Sequence, residues 1–177
     1  MNGLACVGLL LVLAPYMASL PARAADDVAG SDESTVRAAY LYNFAKFTQW
    51  PDEPRARFRL CVLGDEVFDR AADSLIGKPL RAMQISVRHG VSLQDIPQCD
   101  LVFVPAGHDA NLARVREAVS GYPILIVAES SDVLPKGALV AMIRSDDHIV
   151  FEVDLTAARQ LGLQVSAKML QLARKVY

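Results

Sequence analysis

The sequence predicts a three-layer α/β domain: a mostly parallel sheet of about six strands with helices on both faces and an antiparallel edge hairpin. Three observations carry this. Apolar runs of strand length, "FRLCVLG", "DLVFVPA" and "YPILIVA", are continuous rather than alternating, as strands buried on both faces are. Segments with helical apolar spacing separate them. The pattern then changes to "ALVAMIRSDDHIVFEVD", two strands around a tight Asp146-Asp147 turn.

The chain opens with an apolar run from Leu4 to Leu13, a helix-breaking Pro15 and the small-x-small tripeptide Ala22-Arg23-Ala24, the pattern of a secretory signal peptide cut after Ala24. Residues 1-24 are therefore expected to be a leader and 25-177 a single domain, long enough for one substantial core. A helix is predicted from about Glu33 to Gln49, capped by Ser31 or Ser34 and stopped by Pro51 and Pro54. The strand Phe58 to Gly64 follows. Asp65 is placed to cap a helix whose apolar positions Val67, Phe68, Ala71 and Leu75 have helical spacing, with Gly77 beyond its end.

"MQISVRH" alternates as a strand, and "QCDLVFVPAG" is a continuous apolar strand ending in a glycine turn. Asp109 or Asn111 starts a helix running to Ser120, and the buried strand "YPILIVAE", Tyr122 to Glu129, leads through a polar loop into the hairpin. "LTAARQLGLQVSAKMLQLARKV" reads as a short helix and a longer one capped by Ser166, with Arg174 and Lys175 in its last turn, where the helix dipole favours cations.

The formal charge is −2 for the full chain, one unit more negative without Arg23, and no block of Lys and Arg occurs, which argues against nucleic acid as a partner. The later apolar runs are too short to span a bilayer. Export places Cys61 and Cys99 where a disulfide forms and persists. Its loop of roughly 38 residues would contribute about 4 kcal/mol. The plainer alternative is two buried thiols in separate strands.

Recognisable catalytic patterns are missing. No GxGxxG or GxxxxGK[ST] follows a strand, no GxSxG elbow exists, and His89, His108 and His148 lie in separate elements without a second ligand at metal spacing. No catalytic residue, metal or cofactor is assigned. The loops at the carboxyl ends of the strands, Gly64-Asp65-Glu66, Gly107-His108-Asp109 and Glu129-Ser130-Ser131-Asp132, could form an acidic cation pocket, although each acid also serves as an ordinary cap or turn residue.

Two features stand out. In "IVFEVD", Glu152 shares a strand face with Val150 and Asp154, opposite Ile149, Phe151 and Val153. It is either part of the polar outer face of a hairpin or, with terminal-helix residues such as Ser166, a ligand-binding site. "AAYLYNFAKFTQWP" is dense in aromatic residues. At 100° per residue Val36, Tyr40, Leu41, Phe44, Phe47 and Thr48 form a core-facing stripe, while Tyr42, Lys46 and Trp50 recur at i, i+4 nearly opposite, with Asn43 alongside. The second stripe either finishes the helix by stacking on the lysine stem or anchors a partner.

The segment "RAAYLYNFAKFTQWP" resembles the opening signature of the YfiR/HmsC-like family of exported regulators. "LCVLGDEVF" and "CDLVFVPA" resemble that family's first and middle strands, and "VFEVDLTAARQLGLQVSAKMLQLARKV" its closing segment. Two places depart from the pattern: "VLPKGALVAMI" stands where a Gly-Gly-Met-Ile-like sequence is typical, and Asp154 where Asn is common. The resemblance implies a periplasmic protein without a reaction of its own, which binds and represses an inner-membrane diguanylate cyclase through the cyclase's periplasmic domain. Cyclic-di-GMP and biofilm formation are thereby held down. It also implies an outer-membrane or peptidoglycan-associated partner that sequesters the regulator, a homodimer, and disulfides, with Cys61 and Cys99 matching such positions. A small-molecule sensor with no fixed cyclase partner is the alternative.

Overall fold

The computed structural model describes residues 24–51, 56–64, 66–146 and 148–177, without the side chains of 24–32 and 66–69. Residues 1–23 of the expected leader lie outside these, as does Asp65. Helix α1 (Ala24–Phe47) begins nine residues before the expected start and stops two before the expected end. Thr48–Gln49 instead forms strand β1. Strand β2 (Arg57–Val62), helix α2 (Glu66–Asp73), the two-residue strand β3 (Pro79–Leu80) and β4 (Met83–Arg88) follow. A 3-10 turn at Ile96–Gln98 precedes β5 (Leu101–Val104), and another at Asp109–Asn111 runs into α3 (Leu112–Ala118). The chain continues through β6 (Leu125–Glu129), β7 (Val140–Ser145), β8 (His148–Val153), α4 (Leu155–Gln160), β9 (Gln164–Val165), α5 (Ala167–Leu172) and β10 (Lys175–Val176).

Among the described residues the main sheet has eight strands in the order β10-β8-β7-β6-β5-β2-β4-β3. The six longer strands are those expected from the sequence; the additions are β3 and β10, two residues each at opposite edges. β4, β2, β5, β6 and β7 are mutually parallel, and β7 and β8 form the antiparallel hairpin. Asp146 takes a positive φ of 50° in its turn. The hairpin is not itself the edge, because β10 pairs in parallel with β8 outside it.

The direction of winding reverses at β2. β2 connects through α2 to β4 on one side of it, whereas β4 returns past β2 to β5, and β5 connects through α3 to β6 beyond. Right-handed crossovers therefore put α2 on one face and α3 on the other. α1 packs against α2, so it shares that face. The core lies on both sides of the central strands: Leu60, Leu101 and Leu125 on one face and Cys61, Val102 and Ile126 on the other are all fully buried.

The closing helix is shorter than its periodicity suggests. α5 ends at Leu172, and Ala173 is extended at φ −70° and ψ 137°. The segment then turns to pair with β8, where Arg174 N–H donates to Phe151 O and Tyr177 N–H to Val153 O. Arg174 and Lys175 are thus not helix-end cations. The pull of β8 and of the carboxylate of Glu152 outweighs one more turn of an exposed helix.

Candidate functional site

The aromatic helix resolves into two packed faces. Tyr40 and Phe44 meet Phe151 of β8, with centroid distances of 6.2 and 5.1 Å, and the Tyr40 hydroxyl donates to Ile149 O at 2.7 Å. Val36 departs from the expected core stripe, at 45 % exposure. The second stripe does not exist as a continuous exposed surface. Because α1 ends at Phe47, Trp50 leaves the helical register and turns inward, only 6 % exposed. Its ring stands edge-on to Phe58 at 5.0 Å and its indole N–H donates to Asp100 O at 3.2 Å. Tyr42 is half-buried and donates to Pro79 O at 2.9 Å. Asn43 and Lys46 remain exposed, and the Lys46 ammonium lies 5.8 Å from the Phe47 ring rather than between Tyr42 and Trp50.

Pairing of β1 with β9 explains the early end of α1. Thr48 faces Val165 and Gln49 faces Gln164, while Ser166 N–H donates to Phe47 O at 2.9 Å. Ser166 caps α5, accepting from Met169 N–H at 3.3 Å. Its partners are structural, and they are not those of Glu152.

Glu152 is a buried carboxylate rather than part of a polar outer face, and its partners come from the closing segment. Arg174 donates to Oε1 through Nε at 3.1 Å and Nη2 at 2.7 Å, and the Tyr177 hydroxyl donates to Oε2 at 3.1 Å. The sequence hid this because Arg174 reads as the last turn of a helix. The signal available was the β-favouring Val176-Tyr177 pair following it.

Cys61 and Cys99 are joined, which settles the alternative between a bridge and two thiols. Both are buried. The bridge ties β2 to the segment entering β5 and encloses α2, β3 and β4.

Among the described acids at the strand ends, Glu129 and Asp109 have separate partners, while Asp65 and the side chain of Glu66 lie outside the described residues. Glu129 accepts from Arg37 Nη1 at 3.0 Å and from Ala106 N–H at 3.2 Å, with side-chain exposures of 13 % for Arg37 and 15 % for Glu129. Beside it opens a cavity of about 230 Å³ lined by Glu33, Ser130, Ser131, Met142, Arg144 and Ile149, among others. Arg144 bridges both carboxylate oxygens of Glu33 across its rim. Asp109 instead pairs with Lys136 at 2.7 Å. That hydrogen bond holds the Asp109 carboxyl below its ordinary value and raises Lys136 above its own. Among the described residues no group of three His, Cys, Asp or Glu side chains is placed to hold a metal ion. No described helix is long and apolar enough to cross a membrane.

Residues 34–174 match the model of the YfiR/HmsC-like family, well over half of the chain. The chain belongs to the YfiR/HmsC-like family. Membership points to a periplasmic regulator in cyclic-di-GMP signalling, and to a regulatory rather than a catalytic role. Among solved structures this YfiR/HmsC-like chain is similar to a conserved domain protein from Vibrio cholerae, with a TM-score of 0.55 and 8% identity over 81% of this chain and 60% of that one. It is also similar to an ABC domain in complex with L-Trp from Streptococcus pneumoniae, with a TM-score of 0.53 and 10% identity over 81% of this chain and 62% of that one. At these identities the likeness is one of fold. The chain spans about three-fifths of the length of each.

Proposed function

We propose that this protein is a periplasmic regulator that binds the periplasmic domain of an inner-membrane diguanylate cyclase and represses it, lowering cyclic-di-GMP and biofilm formation. The match of residues 34–174 to the YfiR/HmsC-like family is the observation that carries this reading. A homodimer and an outer-membrane or peptidoglycan-associated protein that sequesters it belong to the same scheme.

The docking surface proposed is the exposed side of α1, where Val36, Ala39, Asn43 and Lys46 recur at helical spacing beside the half-buried Tyr42. Trp50, packed on Phe58 of β2, is not part of that surface. The test is co-expression with the cyclase of the same cell. The double variant Asn43→Ala, Lys46→Glu should accumulate normally and raise cyclic-di-GMP part of the way to the level seen without the regulator; an unchanged level would reject this surface. No effect of deleting the whole protein would reject the cyclase reading.

The cavity beside Glu129 favours one other reading, a small-molecule sensor whose ligand biases partner binding. Thermal-shift screening with nucleotides and aromatic metabolites tests it, and no stabilisation by any of them counts against a pocket.

A further inference from the structure

The edge of the sheet beyond β8 is closed by a very short element. β10 is two residues long, and every residue from Arg174 to Tyr177 is exposed. Beyond the ladder pairing of Lys175 with Glu152 and Val176 with Val153, four backbone hydrogen bonds hold it. Arg174 N–H and Tyr177 N–H donate to Phe151 O and Val153 O at 2.8 and 2.9 Å, and Leu155 N–H and Thr156 N–H donate to Tyr177 O at 3.1 and 3.3 Å. The side-chain contacts converge on one group, the carboxylate of Glu152, which is 6 % exposed.

The two sides of this contact are unequal. β8 is held from behind by continuous antiparallel pairing with β7 from Val140↔Val153 to Ser145↔His148, and by the packing of Phe151 on α1. α4 is fixed at its start by the Asp154 cap on Ala157 N–H. From Arg174 onward the covering segment is exposed, with only Ala173 partly buried against the core, and such elements open locally at far lower free energy than the core unfolds. Once it lifts, the edge presents Phe151 O, Val153 O, the N–H groups of Leu155 and Thr156, and one carboxylate. That is a row of backbone groups with a single charged specificity group, the recognition set for an added strand.

We infer that the β8 edge is a strand-addition site for an extended, basic segment of a partner protein, and that residues 173–177 are the chain's own occupant, which the partner displaces. The register gives the chemistry. An arginine must reach Glu152 Oε1, and a hydroxyl-bearing aromatic residue three positions later must reach Oε2, as Arg174 and Tyr177 do. An acidic segment would leave the Glu152 carboxylate buried beside a like charge, so the site rejects it. The inference rests on the Glu152 geometry and is independent of which enzyme the protein regulates.

The test uses the full chain with a labelled peptide Leu-Ala-Arg-Lys-Val-Tyr, and the same peptide carrying Glu in place of Arg. The resident segment competes in cis, so wild-type protein should bind the arginine peptide weakly. The Arg174→Glu protein, whose own segment is repelled by Glu152, should bind it roughly 10- to 100-fold more tightly, the range expected for charge-assisted hydrogen bonds. Adding Glu152→Gln to that variant should abolish the preference for the arginine peptide over the glutamate peptide. Equal binding of both peptides to Arg174→Glu protein, or no tightening relative to wild type, overturns the proposal. Amide exchange of the wild-type protein supplies a second measurement should the variant not fold. The amides of Arg174, Tyr177, Leu155 and Thr156 should exchange at least about tenfold faster than those paired between β7 and β8. A common rate for both sets shows opening only by global unfolding and overturns the displaceable segment.

Discussion

Removing the disulfide should destabilise the protein through its unfolded state, and the size of the effect follows from the chain length it closes. Cys61 and Cys99 are 38 positions apart. Loop-closure entropy for a loop of that length is worth about 4 kcal/mol near room temperature. A domain of this size shifts its melting temperature by roughly 2–4 °C per kcal/mol, so loss of the bridge should lower it by about 8–16 °C. The assay is calorimetry on wild type and Cys61→Ala, each melted oxidised and again after reduction in denaturant and refolding in reductant. Oxidised wild type should stand well above the other three samples. Those three should lie close together, separated by the packing lost with one buried sulfur. The reasoning fails if Cys61→Ala stays far below reduced wild type, because packing of the thiol would then carry the stability. It fails equally if reduced and oxidised wild type melt together.

Trp50 is the only tryptophan of the chain and is buried, so its emission should be blue-shifted and resist quenching by iodide until the protein unfolds; Trp50→Ala should cost about 3–5 kcal/mol in a denaturant titration. Gly137→Ala should lose about 1–3 kcal/mol, since φ is +114° there and a Cβ would stand 2.8 Å from that of Arg116, measured as a fall in the urea midpoint at unchanged slope. The Asp109 carboxyl should titrate below 3.8 by NMR, and Lys136→Met should return it toward that value. Because its folded value is depressed, the contribution of Asp109 to stability is present above pH 3.8 and is lost as pH falls through the folded value; that of Lys136 is present below 10.5 and is lost as pH rises through its own raised value.

The parts of the fold legible in the sequence are those that bury continuous apolar runs. Strands such as Leu101–Val104 and Leu125–Glu129 have little alternative to the middle of a sheet, and their alternation with helical segments specifies the parallel layers. What stayed hidden depends on pairing at a distance. β1 and β10 are two-residue strands whose existence is decided by β9 and β8, and local periodicity carries no trace of such partners. The same blindness affected the site residues. Glu152 was legible as an anomalous charge among apolar neighbours, but its donors Arg174 and Tyr177 fit a helical spacing and were hidden by it. Trp50 followed Tyr42 and Lys46 at i, i+4 only for as long as the helix was assumed to continue through it.

That assumption decides how α1 can meet a partner. Its rings are committed in two directions: Tyr40 and Phe44 lean on Phe151 of β8, whereas Tyr42 reaches Pro79 of β3, and Trp50, just beyond the helix, packs on Phe58 of β2. β8 and β3 lie near opposite edges of the sheet, so one short stretch of chain fastens both halves, and aromatic side chains have the reach and contact area to do so. The aromatic density is therefore explained by packing alone, and it ceases to be an argument for an interface. Any partner that docks on α1 meets the remaining stripe of Val36, Ala39, Asn43 and Lys46, which is small, half apolar and half polar, with a single charge. Such a face supplies few of the aromatic anchors that dominate binding energy, so a tight complex needs further contacts elsewhere. The β8 edge offers them in backbone hydrogen bonds and a buried carboxylate. Variants on α1 should then weaken partner binding in a graded way, while changes at Glu152 should alter which sequences bind.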